Sequence, residues 1–143
     1  MSEPNKKKKK KRLRGFAGVI NNQLTPLNEI EYFKEEFKDE DFKILLNAVE
    51  GRWAALIGVK EGEVKVDGLK NDPKENLKKK KLGWDGKLET TTPIFLQIAM
   101  GKLSLLGIIW KVITRKIKIK GVRNLLKLLK MFNILSHEEN KEE

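Results

Sequence analysis

The most informative pattern in this chain lies between Thr92 and Gly121, where apolar residues fill two helical segments and then alternate strictly with lysine. Thr92 and Pro93 predict a helix start, with Thr as N-cap and Pro at the first helical position. Gly101 predicts its end. A second helix is expected over Leu103–Ile113. There Ser104, Gly107 and Lys111 share one narrow face, and the apolar residues fill an arc of roughly 220°, about twice what a surface helix needs. Arg115–Lys120 reads as a strand with Ile117 and Ile119 on one face and Lys116, Lys118 and Lys120 on the other. A last helix is expected over Val122–Leu135, broadly apolar, with Arg123, Lys127 and Lys130 stacked as one basic stripe.

Upstream the text is more ordinary. Asn28 is placed as an N-cap, ahead of Ile30, Phe33 and Phe37 at helical spacing. Glu29, Glu31, Glu35 and Glu36 cluster near that start, where the helix dipole favours negative charge. After a break at Asp39, Phe42, Leu45, Leu46 and Val49 predict a second helical run closed by Gly51. Trp53–Val59 and Glu63–Leu69 read as strands. Lys60-Glu61-Gly62 between them predicts a tight turn and an antiparallel hairpin. A polar excursion over 71–81 precedes a further strand in Leu82–Thr91, irregular at Gly83 and Gly86. Strands followed by helices predict an α+β layer fold, with helices on one face of a mostly antiparallel sheet.

Apolar surplus has to bury against something. The helices of 92–113 are too short to span a bilayer, which needs ~20 apolar residues, so a lipid held inside the fold is one candidate for what they cover. Ordinary core packing is the other.

Charge divides the 143 residues into blocks. Residues 1–14 carry 8 basic and 1 acidic side chain, residues 15–89 carry 13 and 15, residues 90–135 carry 9 and none, and residues 136–143 carry 1 and 4. The first block, with Lys6, Lys7, Lys8, Lys9, Lys10, Lys11, Arg12 and Arg14, reads as a disordered basic arm, because like charges repel and few apolar residues oppose them. Residues 15–26 read as linker. The expected organisation is therefore an arm and linker over 1–26, one folded domain over 27–135 and a frayed acidic tail over 136–143. No long apolar run follows the basic start, so a secretory signal or membrane anchor is not expected there. Without cysteine the chain can form no disulfide, and a cytoplasmic location, with peripheral membrane contact through the arm, is the expectation.

The order of elements and the residues Phe95-Leu96-Gln97-Ile98-Ala99-Met100-Gly101-Lys102-Leu103, then Lys116-Ile117-Lys118-Ile119-Lys120-Gly121, then Leu125-Leu126-Lys127-Leu128-Leu129 resemble the sterol carrier protein 2 family. The specific part of the likeness is Thr90 to Leu129. It implies a sheet of about five strands with helices packed against it, enclosing an apolar tunnel for an acyl chain or sterol. It also implies a non-catalytic lipid-binding or lipid-transfer role that needs no cofactor and no metal. Fatty acyl, sterol and other isoprenoid or phospholipid ligands are all compatible. The chain departs from the family at Arg115, where a glycine is usual, and at Ser104-Leu105, where an acidic residue and proline are usual.

With that resemblance, Phe95, Ile98, Leu105, Ile109 and Trp110 are expected to line the tunnel, together with Ile113, Leu125, Leu129 and Phe132. Trp84 and Trp110 are candidates for its mouth, since indole suits an interface; core filling is the equal alternative. The basic arm, with Arg123, Lys127 and Lys130, is expected to meet an anionic membrane, where each basic residue near the surface contributes about 1 kcal/mol. An inert tail, or nucleic-acid contact through counterion release, are the other readings of the arm. A nucleic-acid-binding or protein-interaction module built on the Lys-rich surface is the rival function, though binding of single strands favours aromatic platforms that these segments lack. Catalysis has little support: His137 stands alone in the acidic tail, and no nucleophile elbow, phosphate loop or His-rich metal cluster is present in the sequence, while the consecutive acids Asp39, Glu40 and Asp41, the one candidate for a hard cation, are splayed by helical geometry.

Overall fold

A computed structural model describes residues 15–100, 102 and 105–141, with side chains described outside 105–106 and 137–141. The basic arm, Gly101, Leu103 and Ser104 lie outside the described residues. In chain order the elements are α1 (Gly15–Leu24), a 3-10 turn (Thr25–Glu29), α2 (Glu31–Glu36), β1 (Asp41–Ala48), β2 (Trp53–Lys60), β3 (Glu63–Lys70), a second 3-10 turn (Lys74–Leu77), α3 (Lys79–Leu82), β4 (Gly86–Thr90), α4 (Thr92–Ala99), α5 (Leu105–Ile113), β5 (Lys118–Lys120) and α6 (Val122–Lys141).

The five strands form one sheet in the order β3-β2-β1-β4-β5. All neighbours are antiparallel except β1 and β4, which pair in parallel from Ile44–Gly86 to Ala48–Thr90. The expected α+β class and mostly antiparallel sheet are therefore what the chain adopts. The β2–β3 hairpin closes on Glu61 (φ 52°) and Gly62 (φ 76°). Both have positive φ, as a tight two-residue hairpin turn requires. The Gly62 amide donates to the Phe37 carbonyl and the Glu61 amide to the Glu40 carbonyl, seating the turn on the end of α2. A Cβ on Gly62 would lie 2.7 Å from the Lys34 carbonyl oxygen, so glycine is required for space as well as for conformation.

The strands expected over Arg115–Lys120 and within Leu82–Thr91 are shorter, Lys118–Lys120 and Gly86–Thr90, and three further elements differ in kind or extent from the sequence reading. Phe42–Val49 was expected to be helical, but Asp41–Ala48 is β1, the central strand. From Ile44 to Ala48 every residue is buried, and a strand buried on both faces loses the alternation that would mark it. Gly15–Leu24, expected as linker, is a helix that buries Phe16, Ala17, Ile20 and Leu24 in the main core. At the other end α6 continues to Lys141, through most of the segment expected to fray.

Asn28, expected to cap a helix, instead lies within the first 3-10 turn. Its side-chain amide donates to the Val64 carbonyl at 3.0 Å, and its side-chain oxygen accepts from the Val64 amide at 2.8 Å. The side chain thus satisfies both backbone groups of one residue on edge strand β3, where an unpaired edge invites association with another chain. Similarly, α4 is capped not by its own threonine but by Glu50, whose two carboxylate oxygens accept from the Thr92 amide at 3.1 and 3.2 Å. Partial burial pushes the Glu50 pKa up. Hydrogen bonds from its own amide and from the Thr92 hydroxyl and amide outweigh that and hold it below the ordinary glutamate value.

The helix face of the sheet carries Phe42, Ile44, Leu46, Ile57, Val59, Val64, Val66 and Leu88 into the main core. Ile117 is buried there too, and Ile119 is half-buried against it, while Lys116, Lys118 and Lys120 are exposed. The strand turns into α6 at Gly121 (φ 75°), where a Cβ would lie 2.7 Å from the Asp85 carbonyl oxygen. On the opposite face a smaller cluster of Leu45, Ala54, Leu56, Leu77 and Trp84 is roofed by the excursion between β3 and β4. The Trp84 indole donates to the Leu77 carbonyl at 2.9 Å, so this tryptophan fills the second core.

Two substitutions test this account. Asn28→Ala leaves both Val64 groups without their protein partner and should destabilise the fold by about 1–3 kcal/mol, read as a lower urea midpoint at unchanged slope. Glu50→Gln should cost up to ~1 kcal/mol, the usual worth of an N-cap. Because the folded pKa of Glu50 lies below its unfolded value, the wild-type advantage is present above ~4.3. It is lost as pH falls through the folded value. Chemical denaturation across pH 2–7 should therefore bring the two proteins together at the acid end; a gap that persists there would contradict the cap.

Candidate functional site: the apolar layer between helices and sheet

The layer above the sheet is assembled from every part of the chain. From α4, Phe95 and Ile98 point inward one turn apart, and the Phe95 ring meets Phe16 of α1 at 4.8 Å between centroids. From α6, Leu125, Leu128, Met131, Phe132 and Ile134 are buried and Leu129 is half-buried. These residues meet Ile20, Leu24 and Leu27 from the N-terminal side in one continuous cluster. Of the residues expected to line a site, the structure thus brings Phe95, Ile98, Leu125, Leu129 and Phe132 into one layer.

Helix α5 differs. Among its described side chains only Ile108 is buried, and Val112 is half-buried beside it. Ile109, Trp110 and Ile113, expected to line the interior, are 46, 65 and 63% exposed. An apolar arc twice the width of one helix-on-sheet contact cannot all turn inward, and the structure turns Ile108 and Val112 in while these three face out. The Leu105 side chain, expected with them, lies outside those described.

The C-terminus of α5 shows why a glycine would suit the position that Arg115 occupies. The Lys116 amide donates to the Lys111 carbonyl at 2.8 Å and the Arg115 amide to the Val112 carbonyl at 3.0 Å. Those are the two bonds of a Schellman end, which places a left-handed residue, usually glycine, at this position. Arg115 takes that conformation with φ 65°.

The basic stripe on α6 is divided by the fold. Lys127 Nζ bonds Glu40 at 2.7 Å and lies 4.8 Å from the centre of the Phe42 ring. Lys130 Nζ bonds Glu36 at 2.8 Å and lies 5.9 Å from the Phe37 ring. The Glu36 hydrogen bond holds the Lys130 pKa above the ordinary lysine value. Both lysines fasten the last helix to the chain around α2, whereas Arg123 is exposed. Arm residues Lys6–Arg14 lie outside the described residues.

The interior residues missed at sequence level, Phe16, Ile20, Leu24, Ile108, Leu128 and Met131, were partly visible. Phe16, Ile20 and Leu24 recur every four positions, a helical face read across as linker. On the opposite side of the sheet, a cleft of ≈ 300 Å³ opens over Gly58, with Asp41, Lys43, Glu63, Lys65 and Asp67 among its walls. Its mixed charge does not suit an acyl chain. Among the described residues no three His, Cys, Asp or Glu side chains converge as metal ligands, and no helix is long and apolar enough to cross a membrane.

No family model and no curated protein matches the sequence. Solved structures do match. A ubiquinone synthesis protein, UbiJ-SCP2, shares 8% identity over 95% of this chain and 98% of its own, with a TM-score of 0.56. Sterol carrier protein 2 shares 12% over 85% of this chain and 93% of its own, with a TM-score of 0.55. The stereoselective inverting sec-alkylsulfatase Pisa1 of a Pseudomonas species shares 18% over 70% of this chain, with a TM-score of 0.51, and the match spans only 14% of the enzyme. With most of its length following two small proteins almost end to end, this chain has the fold of the sterol carrier protein 2 domain.

Proposed function

We propose that the protein is a non-catalytic lipid carrier. It holds a fatty acyl chain, sterol, other isoprenoid or phospholipid tail in the apolar layer between sheet and helices, against Phe95, Ile98, Leu125, Leu129 and Phe132. The observation that carries this reading is the sterol carrier protein 2 fold combined with a helix α5 whose described side chains hold it to that layer through Ile108, with Val112 half-buried. Magnitudes favour it. Re-exposing Ile108 and the buried half of Val112 costs roughly 2–4 kcal/mol, whereas burying a chain of a dozen or so methylenes gains ~10 kcal/mol. The gain from a lipid exceeds the cost of freeing those two side chains.

The membrane side of the proposal rests on charge. The basic arm supplies long-range attraction to an anionic bilayer, and salt screens that attraction over ~8 Å at physiological ionic strength. Nucleic-acid binding is the weaker reading, because Lys127 and Lys130, the middle of the basic stripe, are already engaged by Glu40 and Glu36.

Native mass spectrometry of the purified protein should reveal a co-purified lipid. Leu129→Trp should lower affinity for a fluorescent fatty acid by about tenfold or more by filling the layer, with the far-UV circular dichroism unchanged; retained affinity in the folded variant would move the site elsewhere. Deleting residues 1–14 should reduce binding to phosphatidylglycerol vesicles and leave fatty-acid uptake nearly intact, and added salt should mimic the deletion. Equal vesicle binding with and without the arm at low salt would leave the arm inert.

A further inference from the structure

The exposed side of α5 has chemistry that neither the lipid layer nor the arm uses. Ile109, Trp110 and Ile113 fall within about 100° of one helix face, and all three stand in solvent. Exposed apolar side chains scattered singly are ordinary. Two isoleucines and a tryptophan on one nine-residue helix are not scattered. The surrounding sequence is equally biased: residues 90–135 hold nine basic side chains and no acidic one. At the end of this helix the chain keeps Arg115 in a left-handed conformation that glycine would adopt without cost.

We infer that this face of α5 is a membrane-docking surface: Ile109, Trp110 and Ile113 enter the interfacial region of an anionic bilayer while Arg115 contacts lipid phosphate. This goes beyond arm-mediated attraction, because it places a short-range contact on the folded domain. Helix length restricts the mode. Nine residues span about 14 Å, half a bilayer core, so the helix lies in the interface and does not cross. Tryptophan suits that depth, with an apolar ring and an N–H that stays wet. Arginine suits phosphate because its planar fork makes paired hydrogen bonds. A protein partner would have to meet this face without an acidic repulsion to shape its choice, whereas an anionic lipid surface matches the basic residues of the segment that stay exposed and outside the Glu36 and Glu40 pairs, Arg115, Lys116, Lys118, Lys120 and Arg123.

The test uses the full chain and vesicles of phosphatidylglycerol and phosphatidylcholine, some carrying brominated acyl chains that quench inserted tryptophan. Wild-type emission should be quenched, and Trp110→Phe should abolish the quenching, since Trp84 is buried and Trp53 half-buried. Ile109→Ser with Ile113→Ser should weaken vesicle partition by about tenfold while fatty-acid uptake from solution is unchanged. Arg115→Gly should raise the thermal midpoint by relieving the backbone and yet weaken binding to anionic vesicles by about threefold or more, an opposition that a purely structural role would not produce. Unquenched wild-type emission overturns the inference. So does vesicle binding unaltered in the serine variant, uptake lost in that variant while quenching persists, or Arg115→Gly binding anionic vesicles as wild type does. Concentration-dependent dimers that the serine variant dissolves, without quenching by vesicles, would assign the face to a second copy instead.

Discussion

Strand β1 has to be covered on both faces, and the rest of the molecule is arranged around that requirement. Ile44, Leu46 and Ala48 need a helical layer above, and Leu45 needs a second cover below. Its two edges need different partners, β2 antiparallel and β4 parallel. A parallel neighbour cannot be reached by a tight turn. The chain therefore makes its hairpin first, runs the excursion of residues 71–85 beneath the sheet, and only then enters β4. That detour is also the lower cover: Leu77 and Trp84 lie on it. Above, α1, α2, α4, α5 and α6 supply the other cover, and any apolar guest of the fold would share that layer with them.

The sheet's outer strands were legible because their alternation survives. Val64 and Val66 alternate with charges on the edge strand β3, and Ile117 and Ile119 alternate with lysines on β5 and its approach, and each set faces where a period of two puts it. The hairpin turn was legible from Glu61-Gly62. The central strand was not, since burial on both sides erases the period and leaves an apolar run that a helix could equally produce. Gly15–Leu24 was obscured by its company: a Gly-rich start and two asparagines masked Phe16, Ile20 and Leu24 at helical spacing. At the site, Phe95, Ile98, Leu125, Leu129 and Phe132 could be read as inward. Which part of the α5 arc faces the layer could not, because that depends on how the helix is rotated about its axis, and every side of it but one was apolar.

Charge was legible in amount and not in use. Three basic residues at successive turns of α6 look alike in the sequence. In the fold, two acquire carboxylate and aromatic partners from much earlier in the chain, the carboxylates 87 and 94 positions back, and the third stays in solvent. No local pattern carries that distinction. The same holds for Asn28 and Glu50, which serve strand and helix ends far from their own neighbours.

The clasp between Glu36, Glu40 and α6 bears on synthesis. The hairpin and β1 can form as soon as they leave the ribosome, but Phe37 and Phe42 are only covered by Lys130 and Lys127 once the last helix has emerged. Until then a nascent chain carries an apolar sheet face and an incomplete edge at β4, the kind of intermediate that chaperones exist to shield. Translation speed across the ninety codons between the two halves of the clasp therefore sets how long that face stays open.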